Sequence, residues 1–175
     1  LYKYFPVYND QKIKYHYSKL NIFLKSIKKI YSSDIVIVPH PKVRGIKNPY
    51  YDKSFIIDKR AEAASILVPS CKFVIYSSFS TSVAYAIANN KPILFLKGEG
   101  FEGNYGIKDY YKRGIETMSK YLSCDVFDYK DELKDKINLN FNKKRYDSYK
   151  YQFLTNKKIE KINNYQIIRE LIKKW

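Results

Sequence analysis

Ile35-Val36-Ile37-Val38-Pro39-His40-Pro41-Lys42 opens the stretch that decides the fold. Lys72-Phe73-Val74-Ile75-Tyr76-Ser77-Ser78-Phe79-Ser80-Thr81-Ser82 continues it, and Lys91-Pro92-Ile93-Leu94-Phe95-Leu96 closes it. The apolar runs are strand-sized, and helix-patterned segments separate them. Alternation of this kind predicts a parallel sheet with helical crossovers, so the fold class is α/β, Rossmann-like, with helices flanking the sheet. The run at 72–76 is continuous rather than alternating, as suits a parallel strand buried on both faces. The first two runs end in polar clusters, and the carboxyl ends of parallel strands are where open α/β sheets bind ligands.

Working outward, residues 12–31 place Ile13, Tyr17, Leu20, Leu24, Ile27 and Tyr31 at spacings of three and four, which predicts a helix with one apolar face. Asn9-Asp10 is its expected N-cap. Ser32-Ser33-Asp34 is the turn into a strand at 35–38. A short strand is expected at 54–57, and Asp58 is expected to cap a helix running to Val68, stopped by Pro69. A small-residue helix at 81–89, a strand at 93–96, a loop at 98–103, a helix at 108–122, a strand at 126–129 and a helix at 131–137 follow. This gives a Rossmann-like domain over 1–140, its first strand incomplete, and a polar helical tail over 141–175. The opening Leu1-Tyr2-Lys3-Tyr4-Phe5-Pro6 reads like the end of a strand already under way, and the chain is expected to be a piece of something longer.

The 175 residues suffice for one domain with a real core. The formal charge is +16, from 33 basic and 17 acidic residues. Lysine is spread almost everywhere among abundant Tyr, Asn and Ile, a mixture that a compositionally biased genome produces without any ligand. There is no arginine cluster, zinc-finger spacing or RNP-type aromatic motif, so nucleic acid is not the expected partner. An anionic membrane surface or anionic polymer is the functional alternative to plain solvated lysine faces. Cys71 and Cys124 give no disulfide framework and point to a reducing compartment; Cys71 reads as a small core residue. With only His16 and His40, no metal cluster is expected. No uninterrupted apolar run is long enough to span a bilayer.

Two clusters carry chemistry. Ser77, Ser78, Ser80, Thr81 and Ser82 place five hydroxyls in six positions between a strand end and a helix start. A plain N-cap by Ser80 or Thr81 needs only one of them. Several hydroxyl donors beside the amides of a helix start suit a phosphate. The glycines of a Walker A loop and of a dinucleotide fingerprint are absent. The second cluster is His40, held extended by Pro41, with Lys42 and Arg44 just beyond. An imidazole there can donate to a phosphate or protonate a departing oxygen.

The strand-end His40-Pro41 followed by the serine cluster resembles the carboxyl-terminal half of GT-B glycosyltransferases. The similarity is to bacterial sialyltransferases, polysialyltransferases and surface-polysaccharide or lipopolysaccharide enzymes. It extends to Phe5-Pro6, Asn9-Asp10, the Asn90-Lys91-Pro92-Ile93-Leu94 strand and the tail Tyr146-Asp147-Ser148-Tyr149-Lys150. The resemblance implies a metal-independent enzyme whose substrate is a nucleotide-sugar, often a CMP-sugar, and which needs no cofactor. It implies that His40 contacts or protonates the leaving phosphate, which Ser77, Ser78, Ser80, Thr81 and Ser82 cradle. Lys42 and Arg44 are additional cations, and Glu99 in the 98–103 loop is the residue expected to reach the ribose or base.

In the resembled families the acceptor site and general base come from an amino-terminal domain. This chain is therefore expected to bind donor but to catalyse little alone, with a glycan or lipid-linked acceptor as the other partner. A cytoplasmic location is implied, with peripheral contact at the inner face of the membrane through the Lys-rich tail. The alternatives are a glycerophosphate or polyol-phosphate transferase, a sugar-nucleotide epimerase of the same fold, and a non-enzymatic polyanion-binding module.

Overall fold

The computed structural model describes residues 10–41, 44–45, 48–77, 80–98, 107–131, 133–162, 166, 169, 172 and 173. Helix α1 (Asp10–Tyr31) leads into strand β1 (Val36–Ile37), which pairs in parallel with β2 (Ile56–Ile57). Helix α2 (Ala63–Leu67) tightens into a 3-10 turn (Val68–Ser70). Then β3 (Val74–Tyr76), α3 (Val83–Ala88), β4 (Ile93–Lys97), α4 (Ile107–Leu122) and β5 (Val126–Asp128) alternate. The three strands form a parallel sheet in the order β3-β4-β5, with Ile75 opposite Leu94 and Leu96 opposite Phe127. The chain is α/β, as its alternating pattern predicts.

The two-residue period of the central strand sorts the core. Leu94 and Leu96 of β4 pack with Leu20, Phe23, Leu24 and Ile27 of α1. Ile93 and Phe95 face the other way, onto Val83, Ala86 and Ile87 of α3, Ile115 and Leu122 of α4, and Tyr146. Both faces of β4 are therefore covered, which is why its sequence is apolar without interruption. Each fully buried side chain of this kind contributes about 1.5–3 kcal/mol. Tyr146, on α5 (Lys143–Tyr149), is 1% exposed and satisfies its hydroxyl by donating to the Lys91 carbonyl at 2.9 Å. Ile35 and Ile37 pack against the same cluster as Phe73 and Ile75, which sets the β1–β2 pair beside the larger sheet.

Polarity follows from two contacts. Lys72, just before β3, donates from Nζ to the Tyr31 carbonyl at the end of α1 at 2.9 Å. At the other end, His16 Nδ1 meets the hydroxyl of Tyr129, just after β5, at 2.7 Å. Helix α1 therefore runs antiparallel to β3–β5. The turn at Ser32, whose φ is 45°, reverses the chain so that β1 returns in the direction of the sheet.

Several local expectations need correction. Asp58 does not cap a helix: its carboxylate grips the Arg60 guanidinium at 2.6 Å, and α2 begins at Ala63 with no side-chain cap. Helix α2 ends at Leu67 with Val68 as its C-cap, one residue short of the expected end, and Pro69 sits inside the 3-10 turn that follows, where its missing N–H is tolerated. Residues 131 and 133–137 are not helical; the chain turns there, with Asp131 N–H donating to Asp128 O at 3.0 Å. The tail is helical through α5 and a π-helical turn, Lys150–Leu154, breaks at 155–162, which include turns at 157–161, and is helical again at 166, 169 and 172. Strand β3 is half-buried rather than covered on both faces. Asn9 lies outside the described residues. Among the described residues no helix is long and apolar enough to cross a membrane.

Candidate functional site

The polarity of α1 decides where the chemistry collects. Because β1 runs with the sheet, His40 lies beyond its carboxyl end, at the same edge as the Ser77–Ser82 segment that leaves β3. Asp58 and Arg60 follow β2 there, Gly98 follows β4, and Tyr129 follows β5. His40 is exposed. Its companions Lys42, Ser78 and Glu99 lie outside the described residues, as does most of the 98–103 loop.

Ser77 and Ser80 are half-buried, and Thr81 is exposed. The hydroxyls of Ser80 and Ser82 are 2.9 Å apart, and the Ser82 N–H donates to Ser80 Oγ at 3.3 Å. The Tyr76 hydroxyl donates to the Ser82 carbonyl at 2.8 Å, fixing the turn from below; burial pushes that phenol up to about 12. It stays a neutral donor at any physiological pH. One hydroxyl of the Ser80–Ser82 pair donates to the other, so a single proton of the two is left for a ligand.

The amides expected to be open at the start of α3 are occupied. Val83, Ala84 and Tyr85 N–H groups donate to the carbonyls of Ser80, Thr81 and Ser82 at 3.2, 3.1 and 3.0 Å. Anion donors at this turn are thus hydroxyls rather than the amides at 82–85. Neither Ser80 nor Thr81 is the N-cap; Ser82 holds that position and makes no side-chain cap bond.

Arg44 reaches back to donate from Nη2 to the Ala61 carbonyl at 3.0 Å, tying the turn after β1 to the turn before α2. Its Nε is buried with no hydrogen-bond partner among the described residues. Asp58 is held below the usual carboxylate range by its hydrogen bonds from the Arg60 side chain and backbone. Asp128, which ends β5, accepts from Lys130 N–H at 3.0 Å. Asp58 and Asp128 are therefore engaged locally. Among the described residues no group of three or more His, Cys, Asp or Glu side chains is arranged to hold a metal ion.

One arrangement at this edge has no local sequence signal. A side chain on Gly98 would collide with the Tyr129 ring, whose hydroxyl oxygen lies 2.6 Å from the position a Cβ would take. Tyr129 is 3% exposed and His16 is likewise 3% exposed, and their rings meet edge-on at 5.0 Å. Burial lowers His16 to a pKa of about 4, so the imidazole is neutral. The start of the β4 loop is thus seated on a Tyr129–His16 pair contributed by residues 113 positions apart. Cys71 is half-buried, and burial pushes its thiol up, in keeping with a packing role.

Comparison of the chain with protein-family models, curated proteins and solved structures finds no significant match.

Proposed function

We propose that this chain is the donor-binding half of a metal-independent glycosyltransferase that takes a nucleotide-sugar, a CMP-sugar in the first instance, toward a surface glycan. The observation that supports this reading is that His40 follows β1 of the two-stranded parallel sheet and Ser77, Ser80, Thr81 and Ser82 follow β3 of the three-stranded one, each beyond a strand's carboxyl end, the place where parallel sheets receive ligands. A departing nucleoside phosphate accumulates negative charge, and preorganised hydroxyl donors together with an imidazole proton stabilise it without a metal. His40 donates to or protonates the leaving oxygen, and the Ser80–Ser82 pair supplies its remaining proton to another. Arg44, with Lys42 and Glu99, borders the same edge in this reading. The acceptor, glycan or lipid-linked, and the base that deprotonates it belong to a second domain, so sugar transfer by residues 1–175 alone is expected to be negligible.

The +16 charge favours one rival, a module that holds any polyanion. A thermal-shift and calorimetric screen of CMP, CDP, UMP, UDP and GDP separates the two. A pocketed nucleotide at about 100 times its Kd raises stability by about 2.7 kcal/mol. That gain should depend little on salt, whereas polyanion binding falls by orders of magnitude between about 50 and 200 mM salt. A preference for one base that survives added salt supports the proposal. Equal, salt-sensitive binding of every polyanion overturns it. Product analysis with the acceptor-binding domain present distinguishes glycosyl transfer from polyol-phosphate transfer or epimerisation.

A further inference from the structure

At the opposite, amino edge of the sheet, a cleft of about 300 Å³ opens between the start of β4, the turn before β5 and the segment leading into α5. Its chemistry is unlike that of the rest of the molecule. The chain carries 33 lysines and arginines, yet among the described residues none lines this cleft, and the one charged residue that does is Asp125. The remaining polar lining comes from Ser123, Asn138, Asn140 and Asn142, with Phe141 supplying an aromatic wall.

The asparagines are held in a particular way. Asn138 Oδ1 accepts from the Asn140 N–H at 3.1 Å, and Asn142 Oδ1 accepts from the Arg145 N–H at 3.1 Å, capping α5. Each of these two amides has its carbonyl oxygen committed to the backbone and keeps its NH₂ group for something else. Phe141 is braced against Tyr146, ring centroids 5.0 Å apart, and so is fixed from the core side. Tyr146 in turn is anchored to Lys91 beside the cleft.

Amide donors, one carboxylate acceptor, a hydroxyl and a rigid aromatic form the set that recognises vicinal hydroxyls and an apolar ring face. The carboxylate and the missing cations disfavour phosphate or any other anion. The volume lies at the lower end of the range for small-ligand pockets. We infer that this cleft is a binding site for an uncharged saccharide, with Asp125 and Asn140 contacting its hydroxyl groups. The site is separate from the carboxyl-edge site and does not rest on the nucleotide reading.

The test is a titration of the full chain, followed by amide NMR, with glucose, galactose, N-acetylglucosamine and their β-linked disaccharides. At least one of these neutral sugars should shift the amides of Ser123, Asp125 and 138–142 in a saturable manner. Asp125 and Asn140 are exposed, and their side chains carry no structural bond in the described residues, so Asp125→Ala and Asn140→Ala should fold normally. Each should weaken binding about fivefold or more, while leaving nucleotide binding at the other edge unchanged. No saturable shift with any of the sugars overturns the inference. So does a shift confined to other residues, or affinity unchanged in both variants while their thermal melts match the wild type.

Discussion

Acidification should destabilise this protein in a window that opens at about pH 6.5 and is set by His16. His16 is 3% exposed, joined to the Tyr129 hydroxyl at 2.7 Å, and burial lowers its pKa from 6.5 to about 4. A base whose folded pKa is depressed binds its proton first in the unfolded chain. Its contribution is therefore fully present above about pH 6.5 and is lost progressively as the pH falls toward 4. At about 1.4 kcal/mol per pH unit, the loss accumulates to about 3 kcal/mol at the lower end. That is a large fraction of the stability of a domain of this size. The perturbed carboxylates Asp52, Asp58 and Glu160 are shifted downward from ordinary values of 3.8 for Asp and 4.5 for Glu, so their contributions begin to be lost only at the lower end of this window and continue to fall beneath it. Urea melts at half-unit pH steps measure the slope, and His16→Gln, which cannot titrate, should flatten it. Equal acid sensitivity of wild type and His16→Gln between about pH 6.5 and 4 would refute the reasoning.

Gly98→Ala should destabilise by about 2–3 kcal/mol, because the new methyl overlaps the Tyr129 ring and must displace a buried side chain; a thermal melt checks this, and a shift near zero contradicts the packing described. Asn142→Ala removes the side-chain acceptor for the Arg145 N–H and should cost about 1 kcal/mol, read from the urea midpoint. Ser80→Ala removes the partner of both the Ser82 hydroxyl and the Ser82 N–H; it should weaken nucleotide binding severalfold by calorimetry while changing stability by less than about 1 kcal/mol.

Much of the fold was legible because it rests on local period. The threes and fours of α1 and the apolar run of β4 reflect burial that the described core reproduces, whereas β3 is only half-buried. The register of α1 was legible only in part: Phe23, 1% exposed, and His16 complete its buried stripe, while Tyr17 and Tyr31 sit half-buried at its margins. Failures arose where a side chain had two uses. Asp58 looked like a cap because of its position before an apolar stretch, but a neighbouring guanidinium two residues on took its carboxylate. The 131–137 segment had helical composition, yet Asp128 closes two turns there, through its backbone and through its side chain, and redirects the chain.

The site followed the same division. A strand-end histidine and a serine run are visible as motifs, and the parallel topology brings them to one edge. What the residues could not announce is how the backbone distributes hydrogen bonds within the turn, which uses the amides of 82–85 internally. Nor does any local pattern link Gly98, Tyr129 and His16, since their relation exists only once α1 lies across the sheet. The amino-edge cleft was equally silent, because nothing in its asparagine-rich lining marks a site until the carbonyl oxygens of Asn138 and Asn142 are seen to be taken.

His40 and the serine turn are proposed to form a nucleotide phosphate site together. The most direct measurement is calorimetric titration of CMP and UDP into the wild-type chain and into His40→Ala. Losing a hydrogen bond to a charged group removes about 1.5–3 kcal/mol, so at least one nucleotide should bind saturably and weaken about tenfold or more in the variant, with an unchanged melting temperature. Binding of the same affinity in both proteins, or no binding of either nucleotide to the wild type, would contradict it.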